Sequence, residues 1–179
     1  MTEKEVNRSD NSSREAQKPG GFQRRYYRGW KPFWQDLKTI ISRQDKIKAA
    51  MDSSWLSAAF RERLMLAVTE VNQCSYCRRF HVGQAKKAGI STEEITAYLK
   101  GTIPEDVPEN QKLAICYAQH WAETDVQPDS EFQDQVIQAY GKQGFEEITM
   151  VLYMIRMGNL LGNTLDYLLY RISFGKLGV

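Results

Sequence analysis

The stretch SWLSAAFRERLMLAV, residues 54–68, is apolar on nearly every helical face except at Arg61, Glu62 and Arg63. A helix that is hydrophobic all round is normally buried, so this segment is expected to run through the core. The charged residues must then be paired, hydrogen-bonded or functional, because an isolated ion in an apolar interior costs several kcal/mol or more. Helical spacing does not say which of the three faces inward. From Trp34 onward every strong pattern is helical, with neither period-2 runs nor hairpin dipeptides between apolar segments. The expected fold class is all-α, a helical bundle.

Local signals place the breaks. Gly89, Ile90, Ser91 and Glu94 mark a helix boundary: Gly89 ends one helix, Ser91 caps the next with Glu94 completing a capping box, and Ile90 packs on Ile95. Pro104 and Pro108 bracket a loop before a helix over roughly 109–124, and Pro128 with Ser130 and Gln133 opens another. Gly141 and Gly144 are expected to break that helix before a long last one.

The chain has 179 residues, enough for one domain with a real core. Residues 1–21 are polar, nearly devoid of large apolar side chains and close on Pro-Gly-Gly, so a disordered tail is expected there. Residues 22–34, FQRRYYRGWKPFW, interleave basic and aromatic side chains. They read as an arm that docks its aromatics on the protein's own core or on a neighbouring subunit, ahead of a single helical domain over 35–179. A net charge of +2 and the lack of any nucleic-acid module argue against a nucleic-acid partner.

No apolar run near the start has the length of a secretory signal. The longest apolar tract, 148–173, carries Arg156, Asn159, Asn163 and Asp166, which a lipid-spanning helix rarely tolerates. A cytoplasmic protein without a membrane span is expected. In that reducing setting a close pair of thiols is more often catalytic or metal-binding than structural.

Such a pair occurs in EVNQCSYCRRFH, residues 70–81. If residues 74–88 are helical, Cys74, Cys77 and His81 fall within an arc of about 60° on one face, and Ala85 and Ala88 extend the stripe so that another helix can approach the sulfurs. A helix opened by Asn72 or Gln73 would stabilise a Cys74 thiolate through its free N–H groups and dipole, and Arg78, one turn on, would favour the same anion. The second cysteine is near enough to resolve a sulfenic acid into a disulfide, and His81 can take a proton from Cys77. Two other readings stay open: a zinc site using Cys74, Cys77 and His81 with Glu62 or His120 as a fourth ligand, and two small core residues.

The intervals Glu62, eleven residues, Cys74, two residues, Cys77, three residues, His81 resemble the motif of the alkylhydroperoxidase D and carboxymuconolactone decarboxylase superfamily. The resemblance extends through CSYCRRFHVGQAKKAGISTEEI and GFEEITMVLYMIRMGNLLGNTLD and so covers about residues 55–170. It implies a helical bundle assembled as trimers or multiples of trimers and thiol-based reduction of hydroperoxides. A thiol or dithiol is the implied reductant, and no metal or organic cofactor is needed. It further implies Cys77 as the peroxidatic thiol, Cys74 as the resolving thiol, His81 as the base and Glu62 as its partner. One departure is Tyr76, where the alkylhydroperoxidases carry a histidine; a tyrosine with a pKa near 10 relays protons poorly at neutral pH.

On one straight helix Glu62 and His81 would lie about 28 Å apart, so the chain must turn between them, and NQCS, residues 72–75, is where Asn and Ser favour it. Glu70, one turn before Cys74, is the rival proton partner. Cys116 reads as an inert core residue, His120 as a surface or core-edge histidine, and Asn159 and Asn163 as buried groups in helix or subunit contacts. The leading expectation is a homo-oligomeric thiol peroxidase or disulfide reductase. The alternative is a non-catalytic structural or binding member of the superfamily, zinc-stabilised.

Overall fold

The computed structural model describes residues 22–178. The expected tail, 1–21, lies outside the described residues. Among those described, every regular element is a helix: α1 (Trp30–Ser42), α2 (Gln44–Asp52), α3 (Ala58–Asn72), α4 (Ser75–Lys87), α5 (Thr92–Tyr98), α6 (Glu109–Glu123) and α7 (Ser130–Ile172).

Helix α3 is the axis of the bundle. Ser57 caps it, its hydroxyl accepting the Phe60 N–H at 3.2 Å. Phe60, Leu64, Leu66 and Val68 are each at most 2% exposed, and burial of each contributes about 1.5–3 kcal/mol. Around α3 pack α4, α5, α6 and α7. The three charged residues of its first half are all partnered. Arg61 donates to the carbonyls of Leu56 (2.6 Å) and Ala50 (3.4 Å), Glu62 meets α4, and Arg63 forms a two-pronged pair with Glu94 at 2.6 and 3.1 Å.

The α4–α5 junction follows its sequence, with one difference. Gly89 adopts φ 85°, where a side chain would be strained, the Ile90 N–H returns to the Ala85 carbonyl at 3.0 Å, and Ser91 caps the Glu94 N–H at 3.0 Å. The Glu94 carboxylate, however, does not reach back to the cap, because the buried Arg63 guanidinium takes it. In α7 the break is at Gly141 alone, with φ 71°. Gly144 is helical and makes room for Trp55, whose ring would lie 3.3 Å from a Cβ there.

Residues 22–29 form an extended segment laid against the end of α7. Tyr26 stacks on Tyr167 with ring centroids 4.1 Å apart, Arg24 pairs with Asp166, and the Tyr27 N–H donates to Thr164 Oγ1 at 3.1 Å. Arg25 donates to the carbonyls of Ala122 and Glu123 at the end of α6. Trp30 already begins α1, so residues 30–34 are helical, with Trp30 and Trp34 exposed.

The polar residues that interrupt the apolar tract of α7 are the ones that fasten it. Arg156 donates to Asp36 (2.9 Å) and Asp125 (2.6 Å), and Asp36 also accepts from the Tyr27 hydroxyl at 2.7 Å. Asn163 donates to the carbonyls of Arg25 and Asn72, both at 2.7 Å. Among the described residues no helix is long and apolar enough to cross a membrane.

Candidate active site

The turn demanded by the Glu62–His81 separation is at Gln73. That residue adopts φ 58°, ψ 35°, a left-handed conformation costing roughly 1 kcal/mol for a non-glycine residue, and its side chain is held by Glu70 Oε1 at 2.9 Å. The chain thereby reverses, and α4 runs back alongside α3. Across that hairpin His81 Nδ1 lies 2.8 Å from Glu62 Oε2. A carboxylate only accepts, so Nδ1 carries the proton and Nε2 is left as the basic nitrogen. Glu70 is directed elsewhere, to an ion pair with Arg78. The motif spacing and the geometry select the same glutamate.

Neither Asn72 nor Gln73 opens α4, contrary to expectation. Cys74 is itself the N-cap, its Sγ accepting the Cys77 N–H at 3.3 Å in the manner of a capping serine. Cys77 is then the third residue of the helix, within its first turn. Both thiols are free and buried, at 1% and 6% exposure. They face α7 at Gly162, where a Cβ would stand 3.0 Å from Cys74 Sγ and 3.9 Å from Cys77 Sγ.

Between the two sulfurs the surroundings favour the negative charge at Cys77. Its pKa falls from 9.0 to about 6, chiefly because the Cys74 thiol donates to it; the Asn159 amide and the His81 charge add to the effect, and burial opposes them. The Cys74 thiol is pushed up, first by keeping its proton on the Cys77 sulfur and then by burial. The pair thus shares one proton, held by Cys74. Arg78, expected to favour a Cys74 thiolate, pairs with Glu70 instead.

Cys77 and His81 line a pocket of about 370 Å³ whose remaining wall is almost wholly apolar: Met51, Met65, Met154, Ile155, Tyr76 and Phe80. Tyr76 is 74% exposed. A larger polar pocket of about 460 Å³ lies under the arm, beside Arg25, Arg156 and Leu160, with neither cysteine in its wall.

Cys116 is exposed, not a core residue. His120 joins the α6–α7 loop, its Nε2 accepting the Asp129 N–H at 3.2 Å. Among the described residues no three His, Cys, Asp or Glu side chains converge as metal ligands, so the zinc reading has no ligand set. Sequence reasoning missed Gly162 and the three methionines and saw Asn159 only as a packing residue. The glycines four apart in GNLLGN, 158 and 162, were the available signal for a close helix approach.

Residues 44–107 match the model of the Carboxymuconolactone decarboxylase family. That span starts earlier and ends well before the 55–170 of the sequence resemblance. No curated protein and no solved structure matches the chain. The matched segment contains Glu62, Cys74, Cys77 and His81 with the turn that joins them, and it is this part of the chain that is similar to the carboxymuconolactone decarboxylase family.

Proposed function

We propose that the protein is a thiol-dependent peroxidase that reduces organic hydroperoxides through Cys77 and Cys74. The observation that carries this reading is the placement of a buried, charge-stabilised Cys77 sulfur in the wall of an apolar pocket, beside a second thiol and one turn from a carboxylate-oriented imidazole. The Cys77 thiolate attacks the terminal oxygen of the hydroperoxide and the O–O bond breaks. Cys77 becomes a sulfenic acid, and the leaving alkoxide takes a proton to depart as an alcohol. His81, backed by Glu62 and holding at Nε2 the proton that Cys77 gave up, supplies that proton; it is then the base that removes the Cys74 proton and passes it to the departing hydroxide. The Cys74 sulfur attacks the sulfenic sulfur, the disulfide forms and water leaves. An external thiol or dithiol reduces the disulfide and is itself oxidised, restoring the pair. The apolar lining favours an alkyl or aryl hydroperoxide over hydrogen peroxide, which buries no apolar surface. Assembly into trimers or their multiples and a cytoplasmic setting belong to the same proposal.

The test is stoichiometric. The reduced Cys116→Ser protein is mixed with cumene hydroperoxide, and the peptide containing residues 74–77 is weighed. Loss of two hydrogens with release of one equivalent of alcohol is expected. Retention of both thiols would refute the reading and leave a binding or structural member of the family.

A further inference from the structure

Two glycines stand one turn apart on α7, and the space beside each is used differently. At Gly162 the room left by the missing side chain is taken by the sulfurs, 3.0 Å and 3.9 Å from where a Cβ would stand. At Gly158 the room is open, and a Cβ would meet nothing within 4 Å. Residues four apart share a face of a helix, about 6 Å apart along its axis, so this opening lies one turn from the sulfurs. Gly158 lines the same pocket of about 370 Å³ as Cys77 and His81, and Met154, one turn earlier, continues that wall. Phe80 adds an aromatic ring set edge-on to His81, with centroids 5.1 Å apart. None of the residues lining the pocket is Lys, Arg, Asp or Glu. Backbone geometry does not call for a glycine at 158: it is absent from the positive-φ glycines, and the helix departs from helical angles at Gly141. Glycine is a poor helix former, and what its missing side chain leaves here is pocket space.

We propose that Gly158 is a specificity-determining residue: the space beside it admits the ring of a neutral aryl hydroperoxide while the peroxide oxygen meets Cys77. The role rests on the thiol peroxidase reading above and names its substrate class. The chemistry of the wall selects a ring over a small or charged group. Thioether sulfurs make favourable contacts with aromatic rings, and the three rotatable bonds of methionine let the wall adapt to one. Three of the six methionines of the chain, Met51, Met65 and Met154, line this pocket. A ring placed there takes apolar area out of water in proportion to its size, and a methyl in its place takes out much less. A carboxylate or phosphate on the substrate would lose its hydration without meeting a lysine or arginine in the wall.

The experiment compares two neutral tertiary hydroperoxides that differ by a phenyl against a methyl group, cumene hydroperoxide and tert-butyl hydroperoxide. Disulfide formation in reduced Cys116→Ser protein is followed in single turnovers over a concentration series of each. The parent should react faster with cumene hydroperoxide by about 10-fold or more, the discrimination that an apolar pocket gives for a group of several carbons. Gly158→Leu fills the space with a residue that suits a helix better than glycine, and it should bring that ratio to about one. Gly83→Leu is the control: a Cβ there also meets nothing within 4 Å, but Gly83 lies on α4 outside the pocket wall, and the parent's ratio should be kept. A parent ratio near one, a parent ratio retained in Gly158→Leu, or an equal fall in Gly83→Leu overturns the proposal. The second readout needs no turnover. 2-Phenyl-2-propanol, the alcohol that cumene hydroperoxide becomes, is titrated into protein carrying ¹³C at its methionine methyl groups. The Met51, Met65 and Met154 signals should move in the parent and hold still in Gly158→Leu, while that of Met150, wholly buried outside this pocket, holds still in both. Signals that hold still in the parent, or move alike in Gly158→Leu, overturn the proposal. Should neither hydroperoxide oxidise the pair, the peroxidase reading fails and the methyl signals alone decide whether the space beside Gly158 takes a ring. Oxidation by both at equal rates does the reverse, keeping the reaction and removing the role of Gly158.

Discussion

The shared proton of the cysteine pair should be visible in the stability of the fold. Cys77 has a folded pKa of about 6 against an ordinary 9.0, so it is a depressed acid. Its contribution is present above the ordinary value and is lost as pH falls through about 6. Between the two values the unfolded chain holds a proton that the folded chain has released, and the gap widens by up to about 1.4 kcal/mol per pH unit. From pH 6 to pH 8 the gain relative to Cys77→Ser amounts to about 2 kcal/mol. Cys74 works in the other direction. Its folded pKa is raised, so above about pH 9, where the unfolded thiol ionises and the folded one does not, the curve turns down. The measurement is urea unfolding at fixed protein concentration in a reductant, at pH 6, 7 and 8, for Cys116→Ser and Cys116→Ser/Cys77→Ser. The difference between the two proteins should grow with pH. Parallel curves across that range would refute the account of the pair.

Three further outcomes are expected. His81→Asn should slow hydroperoxide-driven disulfide formation by about 100-fold or more, and Glu62→Gln by less, as removal of a positioned base and of its partner requires; stopped-flow measurement of disulfide formation in single-turnover reactions checks both. Gly162→Ala, which would ordinarily gain up to about 1 kcal/mol inside a helix, should instead lose stability, because the new methyl stands 3.0 Å from Cys74 Sγ. A sulfenic acid on Cys77 should outlast that in the parent, as read by dimedone labelling. Glu94→Ala leaves the Arg63 guanidinium buried without its carboxylate and should cost about 3–5 kcal/mol in urea unfolding; a loss under about 1 kcal/mol would show that the pair is not desolvated.

What was legible in the chain was what neighbouring residues decide among themselves. The all-round apolar character of residues 54–68 announced a buried axis, Gly89 and Ser91 announced a junction, and a reach of about 28 Å between Glu62 and His81 required the reversal that Gln73 makes. Less legible was anything that depends on how one helix is rotated against another. Glu94 has the right spacing for a capping box, but its carboxylate answers to Arg63, thirty-one residues away. Arg78 is one turn from Cys74 in sequence and faces Glu70 in space. Cys116 lies in an amphipathic helix whose apolar stripe is wide enough for either side, and it falls outside. Gly162 meets the sulfurs only because α7 docks with that edge toward α4, and nothing in a periodicity of 3.6 fixes that angle.

The helix that carries Asn159 and Gly162 begins at Ser130, well beyond residue 107 where the family segment stops. The residues proposed to react therefore lie inside the matched segment, while part of what surrounds the sulfurs lies beyond it. Two descendants could keep residues 44–107 letter for letter and still diverge in temperament, one with an eager sulfur and one with a sluggish one, through a single exchange in a region that genealogy overlooks.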